Sequence, residues 1–184
     1  MAGSETVKIL GIPGSYGLES KNGMLVKLAL RAAAEMGADT EIWDLTTDPL
    51  PLVGEEGCWN NEIAKKFQAL ASECDGFIIS SPEYHGCMSG VMKNCLDWVY
   101  KDHVGGKPFA LLSTLGGIEN SNTLNQMRIA VRWLHGWAIP EQMAVGNVKE
   151  AFDEEGNLVS TESRERLSGV VSSLVSTARM LKRE

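Results

Sequence analysis

The stretch Val7-Lys8-Ile9-Leu10-Gly11-Ile12 runs directly into Pro13-Gly14-Ser15-Tyr16-Gly17-Leu18-Glu19-Ser20-Lys21, and Met24, Leu25, Leu28, Ala29 and Ala32 follow at helical spacing. The first run is apolar enough to be buried on both faces, as strands inside parallel sheets are. The last has the three-and-four spacing of an amphipathic helix and stops at Gly37, a usual helix-ending residue. A buried strand, a Gly/Ser-rich loop and an amphipathic helix, in that order, open a strand–helix–strand unit.

The same alternation continues along the chain. Thr40-Glu-Ile-Trp-Asp44 reads as a second strand, and Ile63, Phe67, Leu70 and Ala71 mark a second helix. Gly76-Phe-Ile-Ile-Ser80 is a third strand and the most apolar one, followed by a helix over 90–100. Phe109-Ala-Leu-Leu-Ser113 is a fourth strand, with a helix over 122–135, a short fifth strand over 142–145 and a closing helix over 163–181. Residues 45–60, with two prolines and two glycines, read as loop. Residues 152–159 read as a surface turn between short extended pieces. This pattern predicts an α/β, three-layer sandwich: a five-stranded parallel sheet in the flavodoxin-like order 2-1-3-4-5, with helices on both faces. No internal repeat, low-complexity tract or linker interrupts it, so residues 1–184 are expected to form one domain.

Seventeen Lys and Arg against twenty-four Asp and Glu give a net charge of −7. That balance argues against nucleic acid or an anionic membrane as partner. No apolar run is long enough for a membrane span, and the first residues lack the pattern of a secretory signal, so a cytoplasmic protein is expected. Cys58, Cys74, Cys87 and Cys95 form no CxxC pair and show no metal-ligand spacing, so free thiols and no metal are expected.

In an open parallel sheet, ligands bind beyond the carboxyl ends of the strands. Three loops leave those ends. The first, residues 14–22, joins a buried strand to a helix N-terminus, where unsatisfied N–H groups attract phosphate; Ser15, Ser20 and Asn22 add donors. The plainer alternative is that Ser20 or Asn22 merely caps the helix. The loop is neither a Walker A sequence nor a GxGxxG fingerprint. The second is Ser81-Pro82-Glu83-Tyr84-His85-Gly86-Cys87-Met88-Ser89-Gly90. Its proline and aromatic ring could wall a flat apolar ligand, with peptide groups at the ligand's polar edge; alternatively it is a rigid connecting turn. The third, Ser113-Thr114-Leu115-Gly116-Gly117, would let backbone approach a flat ligand, or is an ordinary turn.

Pro82-Glu83-Tyr84-His85-Gly86, followed by Gly90-Val-Met-Lys93-Asn94-Cys-Leu-Asp97-Trp98, resembles the signature of the NADPH-dependent FMN reductase family, which includes chromate- and quinone-reductase-like flavoproteins. Gly14-Ser15 and Ser20-x-Asn22-Gly23-Met24 match that family's phosphate loop in spacing, and the likeness runs down to Asp153-x-x-Gly156. The family usually carries Arg where this chain has Gly17, and Asn where it has His85. The resemblance implies bound FMN, with Ser15, Ser20 and Asn22 at the phosphate and Pro82, Glu83, Tyr84 and His85 at the isoalloxazine. Ser113, Gly116 and Gly117 would approach the ring from its other side. It further implies NADPH or NADH as reductant and a quinone, flavin, azo or metal-oxyanion acceptor, in a ping-pong cycle that needs no obligate catalytic side chain. A flavodoxin-type electron carrier is the alternative, and a sensory protein that has lost FMN is a third reading. A homodimer or homotetramer is also implied, for which Trp98, Trp133 and Trp137 offer apolar surface. Cys87, His103 and His135 carry no expected catalytic role.

Overall fold

Strand β1 (Lys8–Pro13) organises the molecule because apolar side chains leave it on both sides: Leu10 and Ile12 enter one hydrophobic cluster, Ile9 the other. The computed structural model describes residues 6–118 and 122–182. On one flank of β1 lies β2 (Asp39–Ile42), on the other β3 (Gly76–Tyr84), in register from Ile9 opposite Gly76 to Pro13 opposite Ser80. Beyond β3 come β5 (Pro108–Thr114) and β6 (Trp137–Val145). All four pairings are parallel, in the order β2-β1-β3-β5-β6. This is the expected flavodoxin-like order once β4 (Cys87–Met88), a two-residue strand antiparallel to the end of β3, is set aside.

Two helical layers cover the sheet. Helices α1 (Lys21–Glu35) and α6 (Thr161–Leu181) bury Leu25, Val26, Ala29, Val171, Leu174 and Val175 against one face. Helices α2 (Glu62–Glu73), α3 (Gly90–Asp97), α4 (Lys101–Val104) and α5 (Asn122–Trp133) cover the other, over a core containing Phe67, Phe77, Trp98 and Phe109. Phe77 and Phe109, side by side on β3 and β5, stack at 4.5 Å.

The boundaries differ most from the sequence reading at three places. Strand β3 does not stop at Ser80: Pro82, Glu83 and Tyr84, expected in a loop, extend it as the first arm of a hairpin whose second arm is β4. The helix expected over 90–100 ends at Asp97, and a separate turn of helix, α4, follows. Strand β6 starts five residues early, at Trp137, because it absorbs an irregularity opposite Phe109 and Leu111 where Pro140 interrupts the ladder. An edge strand tolerates this proline. The Arg128 guanidinium donates to the carbonyls of Ile139 and Pro140, at 2.8 and 3.0 Å, and so satisfies groups the ladder leaves open. Residues 152–158 close as expected into a small turn, with Phe152 bridged to Leu158.

Candidate active site

The carboxyl ends of β1, β3 and β5 meet at one edge of the sheet, and side chains knit their loops together. At the end of β1 the Gly14 N–H donates to the Ser80 carbonyl at 2.6 Å. A Cβ on Gly14 would lie 2.7 Å from that of Met92, so only glycine lets the loop pass this close to α3. Ser89 caps α3, its hydroxyl accepting the Met92 N–H at 3.0 Å and donating to the Gly14 carbonyl at 2.6 Å. Its own N–H donates to the Ser81 hydroxyl at 2.9 Å. The first and second loops are therefore one connected structure.

In the first loop Ser20 is the N-cap of α1: its hydroxyl accepts the Gly23 N–H at 3.0 Å and lies 2.6 Å from the Ser15 hydroxyl. The backbone N–H groups of residues 15–19, 21 and 22 have no acceptor among the described residues. No acidic residue stands in the first turn of α1. Asn22 lies beneath the loop surface. Its side chain is 4% exposed and turned inward, accepting from the Ser80 hydroxyl at 2.7 Å and donating to the Thr114 hydroxyl at 2.8 Å. It ties the start of α1 to β3 and β5.

The second loop is a two-residue hairpin. His85 and Gly86 connect Tyr84 to Cys87 with φ of 54° and 73°, the two positive values that a type I′ turn requires. Tyr84 is 60% exposed and His85 is exposed, whereas Pro82 is buried. The Glu83 carboxylate accepts the Thr123 N–H at 3.2 Å, at the positive end of the α5 dipole, so its side chain holds a helix. Gln126 fastens the hairpin tip to α5: its amide donates to the Gly86 carbonyl and the Cys87 thiol, and its carbonyl accepts the Met88 N–H.

In the third loop Gly116 and Gly117 are exposed, with open space where a side chain would stand. Leu115 and Gly117 are pinned by backbone hydrogen bonds to Val145, Asn147 and Val148. Ser113 is fully buried in β5 beneath the loop, and its hydroxyl has no partner among the described residues. Of the ten residues singled out from the sequence, Ser15, Ser20, Glu83, Tyr84, His85, Gly116 and Gly117 thus keep access to the edge. Asn22, Pro82 and Ser113 support it from below.

Sequence reasoning missed Ser89, Gln126 and Thr114. Ser89 carried a readable signal, a serine directly before a helix. Gln126 and Thr114 carried none, because their partners are distant in sequence. Asn94 and Trp98, part of the quoted signature, act elsewhere: both donate to the Pro51 carbonyl, at 2.9 and 2.8 Å, and Asn94 accepts the Val53 N–H. They bind the long loop after β2 to α3. Among the described residues no group of His, Cys, Asp and Glu is placed to hold a metal ion, and no helix is long and apolar enough to cross a membrane.

Residues 7–150 match the family model described as NADPH-dependent FMN reductase. The chain is 30% identical over 173 residues to the NADPH-dependent FMN reductase ArsH of Rhizobium meliloti (strain 1021), covering 91% of this chain and 70% of that protein. It is 33% identical over 157 residues to an FMN-dependent NADPH-azoreductase of Staphylococcus haemolyticus (strain JCSC1435), covering 83% of this chain and 84% of the relative. Among solved structures it resembles FerB, an NAD(P)H:acceptor oxidoreductase from Paracoccus denitrificans, with TM-score 0.71 at 22% identity and 95% and 98% coverage of the two chains.

Proposed function

The chain belongs to the NADPH-dependent FMN reductase family, and from that premise we propose how its residues serve an FMN-dependent NAD(P)H oxidoreductase. The loop edge fits the cofactor. A phosphomonoester needs a cluster of donors without competing acceptors, and the N–H groups of residues 15–19, 21 and 22 are such a cluster. The Ser15 and Ser20 hydroxyls complete it. That set of unpaired donors is the observation that carries the assignment. Asn22 serves indirectly, by fixing the start of α1 against β3 and β5.

The flat ring system would lie between the hairpin of β3 and β4 and the third loop. Peptide groups of residues 82–85 would meet its polar edge, Tyr84 would border its face, and Gly116 and Gly117 would allow close approach from the other side. FMN held there would supply the redox chemistry between nicotinamide and acceptor. The protein orients these partners and needs no acid–base side chain of its own. The acceptor is a quinone, flavin, azo compound or metal oxyanion. The azoreductase relatives favour the azo class, and an exposed tyrosine ring suits stacking on a planar acceptor.

The active form is a homodimer or homotetramer of a 184-residue, single-domain cytoplasmic chain. Trp133 on α5 and Trp137 on β6, 70% and 61% exposed, support association, as does exposed Ile129, four residues before Trp133 on α5. Trp98, expected to join them, is only 2% exposed and belongs to the core. Apoprotein mixed with FMN and passed through gel filtration at micromolar concentration is expected to carry flavin with the protein peak, its fluorescence altered. Complete separation of flavin from protein would remove the assignment.

A further inference from the structure

We propose that Lys21 is the countercharge of the cofactor phosphate, a role that rests on the FMN reading above. Residues 14–20 contain no Lys or Arg, so the loop offers dipoles and hydroxyls to a dianion but no full positive charge. The one acid in that segment, Glu19, is occupied by Lys27 at 2.5 Å, which spends the cation of Lys27 as well. Arg31, further along α1, donates to the side-chain amide oxygen of Asn157, Oδ1, at 3.1 Å.

Lys21 is different. It is the first residue of α1, so its backbone N–H belongs to the unpaired donor set. Its ammonium pairs with no carboxylate among the described residues. Instead it lies 5.2 Å from the centre of the Phe152 ring and donates only to the Met24 thioether, 3.7 Å away. A ring face and a thioether are weak partners for a cation, whereas a phosphate oxygen is a strong one. Phe152 is buried and its backbone is bridged to Leu158, so the ring beneath the ammonium is set in the core. From there the ammonium can turn towards the helix start without losing a stronger contact. As a compact point charge it needs no fixed fork geometry.

The test is titration of apoprotein with FMN and with riboflavin, read by flavin fluorescence, for the parent protein, Lys21→Met and Lys21→Arg. Methionine keeps an unbranched side chain and removes the charge. Lys21→Met is expected to weaken FMN about ten-fold while riboflavin stays within about two-fold, and Lys21→Arg to restore most of the loss. The FMN affinity of Lys21→Met is also expected to fall less steeply with salt. An FMN loss below about three-fold, or equal losses for the two flavins, would overturn the role of Lys21. Failure of the parent protein to bind either flavin would remove the FMN assignment and this proposal with it. A parent preference for FMN over riboflavin that is undiminished in Lys21→Met would remove the proposal alone.

Discussion

His85 occupies a position where the backbone itself restricts the residue. Its φ of 54° is uncommon for a side-chain-bearing residue and severe for a β-branched one. Asparagine adopts it most readily before glycine, which gives a conformational reason for the family's usual Asn at this point. His85→Asn is therefore expected to leave stability within about 0.5 kcal/mol or raise it, and His85→Val to cost about 1–2 kcal/mol, in denaturant unfolding. A second residue-scale expectation concerns Asn22. Its partners Ser80 and Thr114 lie 58 and 92 residues away, so no local pattern could reveal them. Asn22→Ala would leave two buried hydroxyls without it and is expected to lower stability by about 2 kcal/mol, weakening FMN and riboflavin alike. Ser20, by contrast, was legible as a cap because capping is a contact three residues long. Among the thiols, burial pushes Cys74 and Cys95 up to about 12, and Cys58 is also buried, whereas Cys87 is exposed. Native protein at neutral pH is expected to react with one equivalent of a thiol reagent, at Cys87, and a Cys87→Ser variant with none.

At the scale of elements, the parallel strands and long helices were readable because each carries its own period: continuous apolar runs for β1, β3 and β5, and three-and-four spacing for α1, α2 and α6. The β3–β4 hairpin was not, since Pro82 argues against a strand, and only pairing with β5 on one side and β4 on the other holds this stretch extended. Nor could the long loop after β2 be placed from its composition. Two side chains, Asn94 of α3 and Trp98 just after it, converge on Pro51 and make it a fixed part of the layer. Asn94→Ala is expected to speed amide hydrogen exchange selectively over residues 50–60. Protection in β1, β3 and β5 would stay within the change set by a global loss of about 1–2 kcal/mol. Uniform acceleration across the sheet would instead mean that the loop and the core open together.

At the scale of the whole molecule, strand order and layering followed from the alternation, and the strand order places the three loops at one edge. The exposed tryptophans belong to this scale too. Light scattering at micromolar concentration is expected to give a multiple of the 20.0 kDa chain mass. Trp133→Glu should move the equilibrium towards monomer without unfolding it. A monomer mass for the parent protein would remove the proposed association. The central claim is that this edge lets reduced nicotinamide reach bound FMN directly. The measurement that tests it most directly is anaerobic stopped-flow mixing of the FMN-loaded protein with NADPH, and separately with NADH, with no other protein present. The account predicts rapid loss of the oxidised-flavin absorbance band with at least one of them, and its return when a quinone or azo dye is added. Flavin that dithionite bleaches but that neither nicotinamide reduces within minutes would contradict it and mark the protein as a carrier.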